Sequence, residues 1–203
     1  MGNYVIYRDF MAHAAVVQGL GALFRRLDAG QLMEEEVMPL IVFTAFSIEA
    51  YVNSLGSGGA DWNERAGWRA KIEKLHSMVG QTCAWDKEPL DFAVEVFTIR
   101  NQLAHGKPER IEMAFTAPPE EAADYLSHAD LAPAWFAPCL SLEWARAAKE
   151  RFLPLTSHLG ALFGQIPAHI AHASMTQFDR SRSDPDAPTT FIFEMNIPRS
   201  ILY

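Results

Sequence analysis

One stretch constrains this chain more than any other: Val37 to Leu55, which follows three glutamates and stops at Gly56. From Leu40 to Phe46 it is apolar nearly all round, so no face suits water and the segment belongs at the centre of the fold. The apolar run itself, Val37 to Ile48, is about 12 residues long and contains Thr44 and Ser47, whereas a membrane helix needs about 20. The expectation is therefore a core helix of a soluble domain. Glu34, Glu35 and Glu36 suit the positive end of its dipole. Pro39 is tolerable only in a first turn, which puts the start near Met38.

A buried helix needs neighbours, and helical periodicity supplies them over the first 165 residues. Tyr7 to Asp28 repeats apolar residues at Phe10, Ala14, Val17, Leu20, Leu23, Phe24 and Leu27, then stops at Gly30. A more polar helix is predicted from about Glu64 to Val79, with Trp68, Ile72, Leu75 and Val79 on its inner side. A fourth starts near Asp86, read as its N-cap, and runs through Phe92, Val96, Ile99 and Leu103 until Gly106 and Pro108 close it. Ile111 to Phe115 reads as a short strand or link, and Glu120 to His128 as a short helix. After a loop holding Trp135, Phe136 and Pro138, Ser141 caps a long helix reaching about Phe163, which Pro154 should kink or divide. The fold class is all-α: an up-and-down bundle over residues 1–165, with a tail over 166–203. The tail carries one alternating segment, Thr189 to Ile197, which as a lone strand needs an edge to pair with.

Charge narrows the partners. Seventeen Lys and Arg against 25 Asp and Glu leave a net −8, which opposes non-specific binding to duplex DNA. Cys83 and Cys139 have no CxxC spacing and read as reduced thiols of a cytoplasmic protein. The start of the chain lacks a leader pattern, and the Met1 to Ile6 segment lacks the Ser or Thr that myristoylation requires.

Against this acidic background lies a basic enclave. From Ile99 to Arg110 the net charge is +2, with Arg100, Lys107 and Arg110 outweighing Glu109. Asn101 and His105 are four apart on one helix face, and Arg100 lies one step round. The helix C-terminus favours a protonated His105 while the neighbouring cations oppose it, a balance suited to general acid–base work near neutral pH. Lys107 and Arg110 are candidate phosphate-binding residues.

Arg100-Asn101-Gln102-Leu103-Ala104-His105-Gly106 resembles the closing motif of the HEPN family of ribonuclease and toxin domains. Phe43-Thr44-Ala45-Phe46-Ser47-Ile48-Glu49-Ala50-Tyr51-Val52-Asn53 looks like that family's buried helix, and the resemblance extends over about Phe10 to Phe163. It implies a homodimeric endoribonuclease that needs no metal and no cofactor. His105 would assist 2′-hydroxyl attack or protonate the leaving oxygen, Arg100 would hold the phosphate, and Asn101 would orient the imidazole or bond the phosphate. The product would be a 2′,3′-cyclic phosphate. A toxin or defence role with an antitoxin-type protein partner would follow. The same resemblance also covers non-catalytic dimerisation or nucleotide- or RNA-sensing modules. A purely structural interaction domain is a third reading, since Arg100 and His105 could simply cap helix-end carbonyls.

Glu49 sits among apolar residues, where a bare carboxylate is costly. Either it pairs with Arg100 or His105, with Asn53 on the same face, or it lies on a solvent stripe. Other candidates are weaker. His169 and His172 have ligand-like spacing without a Cys, Asp or Glu within a turn. Gly56-Ser57-Gly58-Gly59 is a plain loop, since no strand precedes it and no Lys-Ser/Thr follows. Arg69, Lys71 and Lys74 could extend an RNA track, but Glu64 and Glu73 partly cancel them, and the preferred reading is a solvated helix face. The five tryptophans read as core or rim aromatics.

Overall fold

In the computed structural model the described residues are 12–57, 59, 61–111 and 132–164, with the two-residue strands 4–5 and 182–183. They form an all-α bundle. Its helices are α1 (Ala12–Asp28), α2 (Val37–Gly56), α3 (Trp68–Met78), α4 (Leu90–His105) and α5 (Leu142–Ala161). Short 3-10 turns cover Glu34–Glu36 and Ala134–Leu140. Strand β1 (Tyr4–Val5) pairs antiparallel with β2 (Arg182–Ser183). The predicted segments Ile111 to Phe115 (beyond Ile111), Glu120 to His128 and Thr189 to Ile197 lie outside the described residues, as do His169, His172 and the 166 boundary.

Helix α2 is the centre, in contact with all four other helices. Val37, Leu40, Ile41, Ala45 and Ile48 are sealed from solvent and meet Phe92, Val96 and Phe97 of α4 and Leu155 and Leu159 of α5 in one core. Phe43 and Phe46 point outward, which corrects the expectation of a helix buried on every side. Phe43 lies against Gly19 of α1, where even a methyl group would sit 3.2 Å from the ring. Together with its glutamate turn, Glu34–Gly56 forms 23 helical residues holding an 18-residue window of mean hydropathy 1.4, long and apolar enough to cross a membrane by length and composition. Half of that window is buried in the bundle, as the core helix of a packed domain requires.

Several boundaries moved for local reasons. Helix α3 starts at Trp68 because Gly67 before it is extended. Helix α4 starts at Leu90 and not at Asp86: Pro89 offers no amide hydrogen for an Asp86 side chain to accept and itself takes the N-cap place, so the cap expected at Asp86 is not formed. Ser141 does cap α5, its hydroxyl accepting from the Trp144 amide at 3.0 Å. Pro154 leaves α5 undivided, since Leu155 and Leu159 anchor the following turn. The Thr156 hydroxyl also donates to the carbonyls of Phe152 and Leu153 beside the break. The loop predicted around Trp135 is instead a 3-10 turn that buries Cys139.

Gly56 ends α2 for a packing reason. A Cβ there would fall 2.2 Å from the Trp62 indole, so Gly56→Ala should cost about 1–3 kcal/mol, read as a lower urea midpoint with an unchanged slope.

A histidine pair ties α3 to α5. His76, 1% exposed, bonds the Ile72 carbonyl through Nδ1 at 2.9 Å, so its Nε2 is free to accept. His158 Nε2 lies 3.0 Å from it and donates. Burial, and then the neighbouring His76, hold His158 below the usual histidine range. The unfolded chain therefore binds the proton more readily, and this contribution is complete above about pH 6.5 and lost as pH falls. The expected result is a fall in melting temperature between pH 7 and 5 that is smaller in His158→Gln, whose amide keeps the donor without titrating.

Candidate functional site

The basic enclave stands at the C-terminal end of α4. Phe97, Arg100 and Asn101 lie on its last turns, and His105 is its final residue. The helix ends at Gly106, where a side chain would meet the Gln102 carbonyl oxygen at 2.5 Å. Arg100 turns toward α2. Its Nη2 donates to Glu49 Oε2 at 3.2 Å and its Nη1 to Asn101 Oδ1 at 3.1 Å. Beneath it lies the Phe97 ring, 5.3 Å from the guanidinium carbon, itself stacked on Trp68 at 4.4 Å with the planes 4° apart.

Glu49 also serves a second cation. Its Oε1 accepts from Lys71 Nζ at 3.0 Å, and the Lys71 side chain is only 2% exposed. The solvated-face reading of Lys71 is thus overturned: α3 turns this lysine inward because the Glu49 carboxylate offers a partner that water need not replace. One carboxylate shared by two cations leaves a net positive charge between α2, α3 and α4. Of the two partners considered for Glu49, Arg100 is the one bonded, and the solvent-stripe reading does not hold.

Arg100 keeps binding capacity. A guanidinium has five donors, and the contacts to Glu49 and Asn101 use two. Its Nε–H is buried without an acceptor among the described residues, and Asn53 Oδ1, one turn beyond Glu49 on α2, is buried without a donor. Such orphaned atoms mark a site under polar strain. Asn101, His105 and Lys107 are exposed, and so is Arg110, which has a partner of its own. Among the described residues Arg100 and His105 share no partner, and five positions on a helix separate their directions by about 140°. Asn101 meets Arg100 and not the imidazole.

Among the described residues no thiol or phenol is activated as a nucleophile. Both thiols are free, and burial pushes each upward; at Cys83 the Glu73 carboxylate adds to the rise and Arg69 opposes it. Tyr51, on α2 near Glu49, is pushed up to about 12 by burial and stays protonated. Among the described residues no three His, Cys, Asp or Glu gather to hold a metal ion.

The residue missed by sequence reasoning is Lys71. Its only signal is Glu49, an acid on an apolar helix that requires a counter-charge from somewhere. Comparison with protein-family models, curated proteins and solved structures gives no match to this chain.

Proposed function

We propose that this protein is a cytoplasmic, metal-independent endoribonuclease that works as a homodimer. The observation that carries the reading is Arg100, fixed by Glu49 and Phe97 with two Nη donors uncommitted, at the helix end that exposes His105 and Lys107. A phosphodiester at this end would receive charge-assisted hydrogen bonds from Arg100, which strengthen as the phosphorane gains charge. His105 takes the proton from the 2′-hydroxyl or gives one to the leaving 5′-oxygen. The 2′-oxygen then attacks the adjacent phosphorus and the 5′-oxygen departs, leaving a 2′,3′-cyclic phosphate. The attack uses the RNA's own hydroxyl, so DNA is no substrate. Because Arg100 and His105 diverge on one helix, the arginine of one protomer works with the histidine of the other, in a groove between two α4 ends.

A second reading is a non-catalytic dimer that senses a nucleotide or RNA end. The inward engagement of Arg100 with Glu49 favours it. Cross-complementation separates the two. Mixing Arg100→Ala with His105→Ala protein should restore part of the lost cleavage, since some heterodimers carry one complete site. Absence of cleavage by the unmodified chain on any RNA leaves the sensing module. A toxin role would add an antitoxin-type partner covering the same groove.

A further inference from the structure

Beyond the α4 end, a polar recess lies between the loop after α2 and α3. Two adjoining hollows of about 200 and 130 Å³ share Asp61, Trp62 and Lys74, and Lys71 and Asn63 line the larger. We infer that this recess is a nucleotide subsite, with an unpaired base laid on Trp62 and its phosphate held by Lys74 above the buried Lys71. The assignment of RNA as its source rests on the ribonuclease reading.

Trp62 is suited to the base. Its ring atoms nearest Gly56 are Cδ2, Cε3 and Cε2, clustered at the fusion of the two rings, so one face lies flat on the glycine. Trp62 lines both hollows, and base–aromatic stacking is sequence-tolerant. Its Nε1–H is buried with no acceptor among the described residues.

The charge is suited to a phosphate. Lys71 spends one of its three donors on Glu49, and Lys74 is exposed one turn further along the same face. Glu73 does not neutralise them, because it is drawn to the other side of α3 by Arg69 Nε at 3.4 Å and the Trp85 indole N–H at 3.1 Å. Asn63 accepts from the Arg65 amide through Oδ1, leaving its NH₂ to donate. Asp61 is the one acid in the lining and limits the site to a single phosphate. Each hollow is smaller than the ~300 Å³ at which drug-sized pockets begin, and the two together suit a ligand the size of one nucleotide unit. Through Lys71 it adjoins the carboxylate that fixes Arg100, so a strand on the Arg100 site has a place for a neighbouring nucleotide.

The test is an NMR titration of the full chain with adenosine 3′-monophosphate, with inorganic phosphate and adenosine as separate arms. The Trp62 indole signal is assigned by Trp62→Phe. The expected result is a saturable shift of that signal, with affinity at least tenfold weaker in Lys74→Glu and tighter in Asp61→Asn. No shift, or equal affinity in Lys74→Glu, overturns the subsite. Equal affinity for inorganic phosphate overturns the role of the base, and equal affinity for adenosine overturns that of the phosphate. The titration needs no turnover, so it decides the subsite separately from cleavage, which Arg100→Ala and His105→Ala report.

Discussion

His105→Ala should lower RNA cleavage by about 10²–10⁴-fold, the range for removing a positioned general acid or base. Arg100→Ala should lower it by about 10²–10³-fold through loss of transition-state charge stabilisation. The two variants differ in what else they disturb. His105 is exposed and bonded to nothing among the described residues, so its removal should change stability by no more than about 0.5 kcal/mol. Arg100 is half-buried against Glu49 and Phe97, but Lys71 remains on the carboxylate when it goes. Arg100→Lys makes the sharper control: it keeps the charge beside Glu49 yet lacks the planar fork, and should stay inactive with a near-normal urea midpoint. Added EDTA should leave cleavage by the unmodified protein unaffected. Initial rates on a labelled RNA, with sedimentation to verify the dimer, decide the matter; full activity in either alanine variant removes that residue from the chemistry.

The largest expected effect on stability lies at Glu49. Glu49→Ala leaves Lys71, with a side chain 2% exposed, charged and without its partner, and should destabilise the fold by about 3–5 kcal/mol. Lys71→Met should cost far less, because Glu49 keeps Arg100 and the methionine fills the buried channel with apolar atoms of similar length. The double variant Glu49→Ala with Lys71→Met should recover most of the loss, since the stranded charge is gone. Urea unfolding of the three proteins measures this; a Glu49→Ala midpoint equal to the parent would mean the carboxylate does not hold the lysine. Activity should follow a different order, with Glu49→Ala and the double variant both impaired because Arg100 loses its anchor.

The bundle was readable from local signals wherever the causes are local. Gly56 and Gly106 stop their helices, Ser141 caps α5, and the apolar circumference from Leu40 to Phe46 made α2 the centre. The misplaced features depend on distant partners. The exception is local: Asp86 has the chemistry of a cap, but Pro89, three residues on, takes that place. Lys71 looks solvated on its own helix, and only a carboxylate 22 positions earlier makes its burial tolerable. Phe43 and Phe46 look like core residues until the bundle places them on its outer side. At the candidate site, the residue types were legible, while Glu49 stood open between Arg100, His105 and a solvent stripe until the fold brought Arg100 to it. The turning of Arg100 away from His105 was not legible, because rotation about a helix is set by whichever neighbour offers a charge.

The most direct test of the chemistry replaces a single ribose at the cleaved position of an otherwise natural RNA by 2′-deoxyribose, in EDTA, and identifies the fragment ends by mass. The account predicts 2′,3′-cyclic phosphate ends from the natural strand and no scission at the deoxy position. Cleavage at the deoxy position, or fragments ending in a 3′-hydroxyl, would contradict it.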